Sequence, residues 1–253
     1  MIAALPMYDF GDLVPANDAF WGLIRHALRD AGQAAPDHLT HGAPDLWRQW
    51  KAPDLVLSQT CGYPFRNHLH GHVTLVGTPD YGLPGCPPGH YHSVFVARAD
   101  DHRSTLGDFR GARLAYNDVL SQSGWSAAQT HLGSLGLPPL AGLQTGSHRA
   151  SALAAADGRA DLASLDAVTW RHLQRLDHVT QRLRVLDRTL PTPGLPLISR
   201  AGADGAALFH AVAHAIAALP AGARATLGIT GLIAIPAEHY LRVPNAPASL
   251  PVD

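Results

Sequence analysis

Apolar positions along the chain recur at two alternating spacings, and the alternation sets the expected elements. Ile2–Leu5 is a short apolar run that stops at Pro6, the pattern of a buried strand. From Ala16 to Gly32, Phe20, Leu23, Ile24, Ala27 and Leu28 recur at three- and four-residue steps, which predicts a helix ending at Gly32. Residues 44–50 predict a second, shorter helix. Asp54–Ser58 reads as a buried strand running into the loop Gln59–Phe65, and Val73–Gly77 as the next strand. A Pro/Gly-rich stretch, 78–89, precedes a longer strand at Tyr91–Arg98. Ala112–Tyr116 is a strand followed by the polar turn Asn117–Gly124 and a helix from Trp125 towards Leu135. That plan repeats: a strand at Leu143–Thr145, the turn Gly146-Ser147-His148, then a helix to Asp157 closed by Gly158. Ala160–Leu165 is a strand feeding a helix from Asp166 towards Leu176. Leu183–Leu186 and Leu197–Ser199 are strands on either side of a second Pro-rich break, Ala203–Leu219 is a strongly apolar helix, and the tail after Gly228 reads as irregular.

Strands alternating with helices predict an α/β protein with largely parallel sheets. The two Pro/Gly-rich breaks, near 78–90 and 187–196, bracket the middle of the chain. They predict a discontinuous first lobe, 1–88 plus 190–253, with a second lobe, 89–189, inserted into it. Each lobe would be a mostly parallel sheet flanked by helices, joined to the other by a two-strand hinge, with a ligand cleft between them. One continuous sheet with long loops is the alternative.

Composition narrows the function classes. The 253 residues are enough for a sizeable core, and 46% are hydrophobic against only 15% charged. Lys and Arg number 19 and Asp and Glu 20, a formal charge of −1, so no global field attracts nucleic acid or acidic lipid. No apolar stretch approaches the ~20 residues of a membrane span. A monomer with neither nucleic-acid nor membrane partner is expected. Met1–Tyr8 has no basic start, apolar core or small-residue cleavage site, so it does not read as a secretory leader. Cys61 and Cys86 match no metal or redox spacing. Gly62, Pro64, Gly85 and Pro87 place both on turns, which leaves two readings open: small buried hydrophobes, or one disulfide between loops.

Sixteen histidines are many for this length. His68, His70 and His72 alternate and would share one face of an extended segment, with His90, His92 and Cys86 near in sequence. Arg66 and Asn67 beside them mark a solvated loop, and no supporting carboxylate is evident, so no metal is expected. No cofactor is expected either: Walker, Gly-x-Gly-x-x-Gly, Gly-x-Ser-x-Gly and His-Glu-x-x-His patterns are all missing.

Candidate chemistry concentrates where strands give way to helices. Ser121-Gln122-Ser123-Gly124 and Gly146-Ser147-His148 each follow a strand and open a helix. A helix start carries partial positive charge and open N–H donors, so two such turns in one lobe suit an anion without Lys or Arg. The plainer role for Ser123 or Ser147 alone is capping. Asp166 either caps its helix or accepts from a ligand hydroxyl or amine, or from His148. Tyr8, closing the first strand, is a candidate contact from the cleft geometry.

The order of Asp54–Ser58, Tyr91–Val96, Ser121–Gly124, Gly146–His148 and Ala160–Asp166 resembles the phosphate and phosphonate substrate-binding proteins of ABC importers, over nearly the whole chain. These are the PhnD-like members of the type II periplasmic binding protein fold. The resemblance implies a periplasmic, non-enzymatic protein that captures phosphate, phosphite or a phosphonate-like anion by hinge closure and delivers it to an ABC permease. It implies that Ser121, Ser123, Gly124, Ser147 and His148 hold the oxyanion. It also puts Ser58 and Tyr91–His92 near the family's two aromatic contacts. In capture by closure, the other lobe would close over the ligand with residues near Tyr8 and from the Ser58–Tyr63 loop. Amine-binding members carry a carboxylate in the second crossing, where this chain reads Pro193-Gly194-Leu195 and leaves only Asp166 for an ammonium. The missing leader keeps a second reading in view: a cytoplasmic ligand sensor, or an enzyme on the same fold acting on a small carboxylate, as leaderless menaquinone-pathway enzymes do. In that reading Asp166 would abstract a proton from the bound anion. A separate enzyme reading, a triad of Ser123, His148 and Asp166, gives way to the commoner case of a serine that caps a helix and binds anions.

Overall fold

A computed structural model of the chain describes residues 1–42 and 45–246. They fall into two compact units, residues 1–90 with 193–242, and residues 91–192 with the tail from 243. The predicted 44–50 helix extends one residue outside the described range at Pro44.

The first unit opens with β1 (Ile2–Ala4) and α1 (Leu13–Asp30). The helix starts one turn before the predicted Ala16 because Pro15, in the first turn, removes no N–H that the helix would use. Its stripe of Leu13, Phe20, Trp21, Ile24 and Leu28 is buried, and Gly32 follows with φ of +73°. Asp45 caps α2 (Leu46–Trp50) by accepting from the Arg48 N–H at 3.0 Å, and β2 (Leu55–Gln59) is buried throughout. The expected loop then folds into α3 (Gly62–Pro64) and a π-helical turn, Phe65–Leu69. His68 lies in that turn, edge-on to Trp47, while His70 follows it against Phe65, so the three alternating histidines do not share an extended face. Among the described residues no group of three or more His, Cys, Asp or Glu is placed to hold a metal ion. β3 (Val73–Asp80) leads to a loop fastened by Asp80, whose Oδ1 accepts from the N–H groups of Gly82 and Gly89, both at 3.1 Å.

Cys61 and Cys86 are not bridged. Each sits in a turn closed by its own backbone bond, Phe65 N–H to the Cys61 carbonyl and Cys86 N–H to the Leu83 carbonyl, so neither turn needs a crosslink. Partial burial pushes the Cys86 thiol above its ordinary pKa, with Asp80 adding to the effect.

The chain leaves the first unit through β4 (His90–Tyr91) and returns through β10 (Thr192–Pro193); the two pair as a separate two-stranded sheet. Between them the second unit contains β5 (Ser93–Arg98), β6 (Arg113–Tyr116), α4 (Ala127–Ser134), β7 (Ala141–Gln144), α5 (His148–Ala156), β8 (Leu162–Asp166), α6 (Ala167–Leu176) and β9 (Leu183–Arg188). Its sheet has the order β7-β6-β8-β5-β9, over a core that includes Phe95, Phe109, Leu114, Leu132 and Leu162. The returning chain adds β11 (Leu197–Arg200), α7 (Gly205–Ala218), α8 (Ala221–Leu227), β12 (Gly231–Ile233) and α9 (Ala237–Leu241) to the first unit. That sheet has the order β1-β2-β11-β3-β12.

Both sheets are mixed, not largely parallel. Parallel neighbours occur where a helix supplies the crossover, as in β1–β2 and β6–β7. β5 and β11, each the strand entered directly after a crossing, run antiparallel to both neighbours. The tail also differs from expectation. β12 and α9 are too short to show a period, yet α9 buries Tyr240, whose hydroxyl lies 2.5 Å from Thr78 Oγ1. Residues 243–246 group with the second unit, whereas the pattern placed them in the first as part of 190–253, whose last seven residues lie outside the described range. Among the described residues no single helix is long and apolar enough to cross a membrane.

His41 ties the loop after α1 to two carboxylates: Nδ1 is 2.8 Å from Asp9 Oδ1 and Nε2 is 2.9 Å from Asp18 Oδ1. Partial burial opposes the charge, but the bonds to Asp18 and Asp9 outweigh it and raise the pKa. A raised folded-state pKa stabilises fully below the unfolded value of 6.5 and fades as pH climbs through the folded one. The melting-temperature gap between wild type and His41→Ala is therefore larger at pH 5.5 than at pH 8.5, as differential scanning fluorimetry at both values will show.

Candidate anion-binding site

The site is built within the second unit, beginning at the turn after β6. Gln122–Ser126 form a π-helical turn, closed by the Ser126 N–H on the Ser121 carbonyl at 3.0 Å. Ser121 stands at its start in extended geometry, and its Oγ accepts from the Gly124 N–H at 3.0 Å. All five turn residues are buried, with the Trp125 ring 4.5 Å from that of Tyr116. Any side chain at 124 would force Asn117 to shift, because a Cβ there would lie 2.0 Å from Asn117 Oδ1 and 3.2 Å from the Asn117 backbone nitrogen.

Ser123 is the hub. Its carbonyl accepts two hydroxyls from the sheet, Ser93 of β5 at 2.9 Å and Ser164 of β8 at 2.7 Å. Its own Oγ lies 3.0 Å from Nε2 of His148, the first residue of α5. Ser147 caps that helix by accepting from the Ala150 N–H at 3.1 Å. Burial drives the His148 pKa down to about 4, and the nearby Ser164 backbone offsets this only in part. The imidazole is therefore neutral at pH 7. Nδ1 is enclosed and makes no well-formed hydrogen bond.

This arrangement can present hydroxyl, imidazole and helix-start N–H groups to an anion. A serine–histidine–aspartate relay would need a carboxylate on the far ring nitrogen, and among the described residues His148 Nδ1 makes no well-formed hydrogen bond. Asp166 turns its Oδ1 to α6, accepting from Val168 and Thr169 N–H at 2.7 and 2.9 Å.

The other candidates are placed as follows. Tyr91 and His92 are buried beside β5, and the His92 carbonyl accepts from the Ala167 N–H at the start of α6. Burial, with the Arg188 charge, lowers the His92 pKa. Tyr8, Ser58 and Tyr63 belong to the first unit. Tyr8 lies in a 3-10 turn, its ring edge-on to Tyr81 at 5.2 Å, while Ser58 is wholly buried with its Oγ directed at Gln49 Oε1 3.4 Å away. Tyr63 lies under the Arg66 guanidinium at 4.7 Å. Sequence reasoning missed Ser93 and Ser164, which contact the turn only through sheet register. It also missed Thr60, two residues beyond Ser58, whose fully buried hydroxyl makes no hydrogen bond among the described residues.

Gly124→Ala tests the turn. Forcing Asn117 aside costs about 1–3 kcal/mol. The expected result is a melting temperature lower by several degrees, with Trp125 fluorescence altered while the unit stays folded by circular dichroism.

Comparison with known proteins places the chain. No curated protein matches it. Solved structures share its fold across nearly the full length. A Xanthomonas citri protein bound to ATP is 17% identical, covers 96% of this chain and 97% of its own, and has a TM-score of 0.70. PhnD1 from Prochlorococcus marinus in complex with methylphosphonate is 14% identical, with 94% of each chain covered and a TM-score of 0.71. A binding protein component of an ABC phosphonate transporter from Pseudomonas aeruginosa is 15% identical, with 92% of this chain and 80% of that one covered and a TM-score of 0.67. The sequence model of one family matches residues 52–240, well over half of the chain. The chain therefore belongs to the phosphonate family of ABC-transporter periplasmic substrate-binding proteins.

Proposed function

We propose that the protein binds a small oxyanion lacking an amine, of the phosphate, phosphite or methylphosphonate kind, on the Ser121–Gly124 turn and the Ser147–His148 helix start. In this reading it is the periplasmic solute-binding component of an ABC importer and carries out no chemistry on its ligand. The observation that carries the proposal is the 3.0 Å contact between Ser123 Oγ and a neutral, enclosed His148. A neutral donor set leaves the ligand to supply the charge, and its oxygens would gain charge-assisted bonds of about 1.5–3 kcal/mol each. A few such bonds support micromolar affinity after ordering costs.

The amine-free class follows from the second crossing. A Cβ at Gly194 would come 2.8 Å from the Gly89 carbonyl oxygen, so that position has no room for an acidic side chain without a backbone shift. Asp166 already gives one carboxylate oxygen to α6. Closure of the first unit over the bound anion is part of the same proposal, with Tyr8, Ser58, Tyr63, Tyr91 and His92 as its candidate contributors.

Isothermal titration with methylphosphonate, phosphate, phosphite and 2-aminoethylphosphonate tests the reading. The first three are expected to include a ligand bound at micromolar level, with 2-aminoethylphosphonate at least tenfold weaker. Ser123→Ala with His148→Ala should abolish that binding, and small-angle scattering should show a smaller radius of gyration with ligand. Binding unchanged in the double variant would refute the assigned site.

A further inference from the structure

The chain segment that follows α9 makes hydrogen bonds at the far end of the proposed anion-binding turn. Ser126, fully buried, is the last residue of the turn and directly precedes α4. Its backbone is helical, so the turn runs directly into α4 and the Ser126 side chain makes no cap there. Its hydroxyl instead donates to the Pro244 carbonyl at 3.4 Å and accepts from the Ala246 N–H at 3.2 Å.

A π-helical turn is a rare, poorly favoured backbone that persists where its surroundings hold it. Besides the Ser123–His148 contact, bonds at its start, middle and end fasten this one. Ser121 Oγ holds its start through the Gly124 N–H. The Ser93 and Ser164 hydroxyls hold its middle through the Ser123 carbonyl. The third point, Ser126, is the only one of these supplied from outside the strand–turn–helix body of the unit.

We propose that residues 243–246 act as a strap that sets the conformation of the Ser121–Ser126 turn, making Ser126 a positioning residue for the anion. The proposal rests on the binding role given to the turn above. Without the strap, the end of the turn relaxes towards ordinary α-helical closure. The Ser123 hydroxyl then loses its fixed aim, while β5, β8 and α5 keep their packing. The strap thus tunes affinity without touching ligand.

Two variants in the full chain separate this role from general stability. Ser126→Ala removes both strap bonds, and Ala246→Pro removes the N–H donor at a half-buried tail position. Hydrogen exchange on the ligand-free protein is the first readout. Both variants should speed exchange across 121–127 at least tenfold and leave α5 unchanged. Methylphosphonate titration is the second, with an expected three- to tenfold loss of affinity and a melting temperature within a few degrees of wild type. Unaltered exchange across 121–127 in both variants overturns the strap. If the turn loosens but wild type binds none of the anions tested, the strap stands and the binding role of the turn falls.

Discussion

The carbonyl of Ser123, held by two sheet hydroxyls, is the constraint on which the proposed site depends. Ser93 and Ser164 lie on neighbouring strands, β5 and β8, whose antiparallel register sets Ser93 opposite Asp166 and Phe95 opposite Ser164. Strand pairing therefore fixes the turn, and the turn fixes the Ser123 hydroxyl against His148. The mixed character of this sheet matters for the same reason. A β5 running the other way would reverse the order of its side chains along β8, and Ser93 and Ser164 would no longer meet one backbone oxygen.

Charge is used sparingly at this position. An imidazole with a pKa near 4 costs nothing in proton uptake at pH 7, and a donor set without a resident cation avoids the cost of desolvating one. The near-neutral composition of the chain thus says nothing against an anionic ligand. In the proposed site, local dipoles and hydroxyls would stand in for the lysines and arginines that a surface anion site uses.

Much of this was legible in the sequence, and what was not has a physical reason. The two polar turns after strands, and Asp166 after a third, were readable because a helix start needs a cap, and Ser121, Ser147 and Asp166 each supply one. Ser58 could be placed at a strand end from the sequence, but the buried glutamine that its hydroxyl faces could not. Ser93 and Ser164 were hidden because their partner is tens of residues away and is met only through sheet register. The fit of Gly124 against Asn117, the π-helical closure and the bonds from the tail to Ser126 depend on three-dimensional approach that no local pattern encodes. β12 and α9 escaped for a simpler reason: three and five residues are too few to show periodicity.

The most direct measurement is the ring-nitrogen NMR titration of His148, with and without methylphosphonate. The account predicts that its signals remain those of a neutral imidazole from pH 8 down to about 5. It also predicts that saturating methylphosphonate at pH 7 moves them while leaving those of His41 in place. Protonation of His148 near its ordinary value of 6.5, or signals indifferent to every oxyanion tested, would contradict the account.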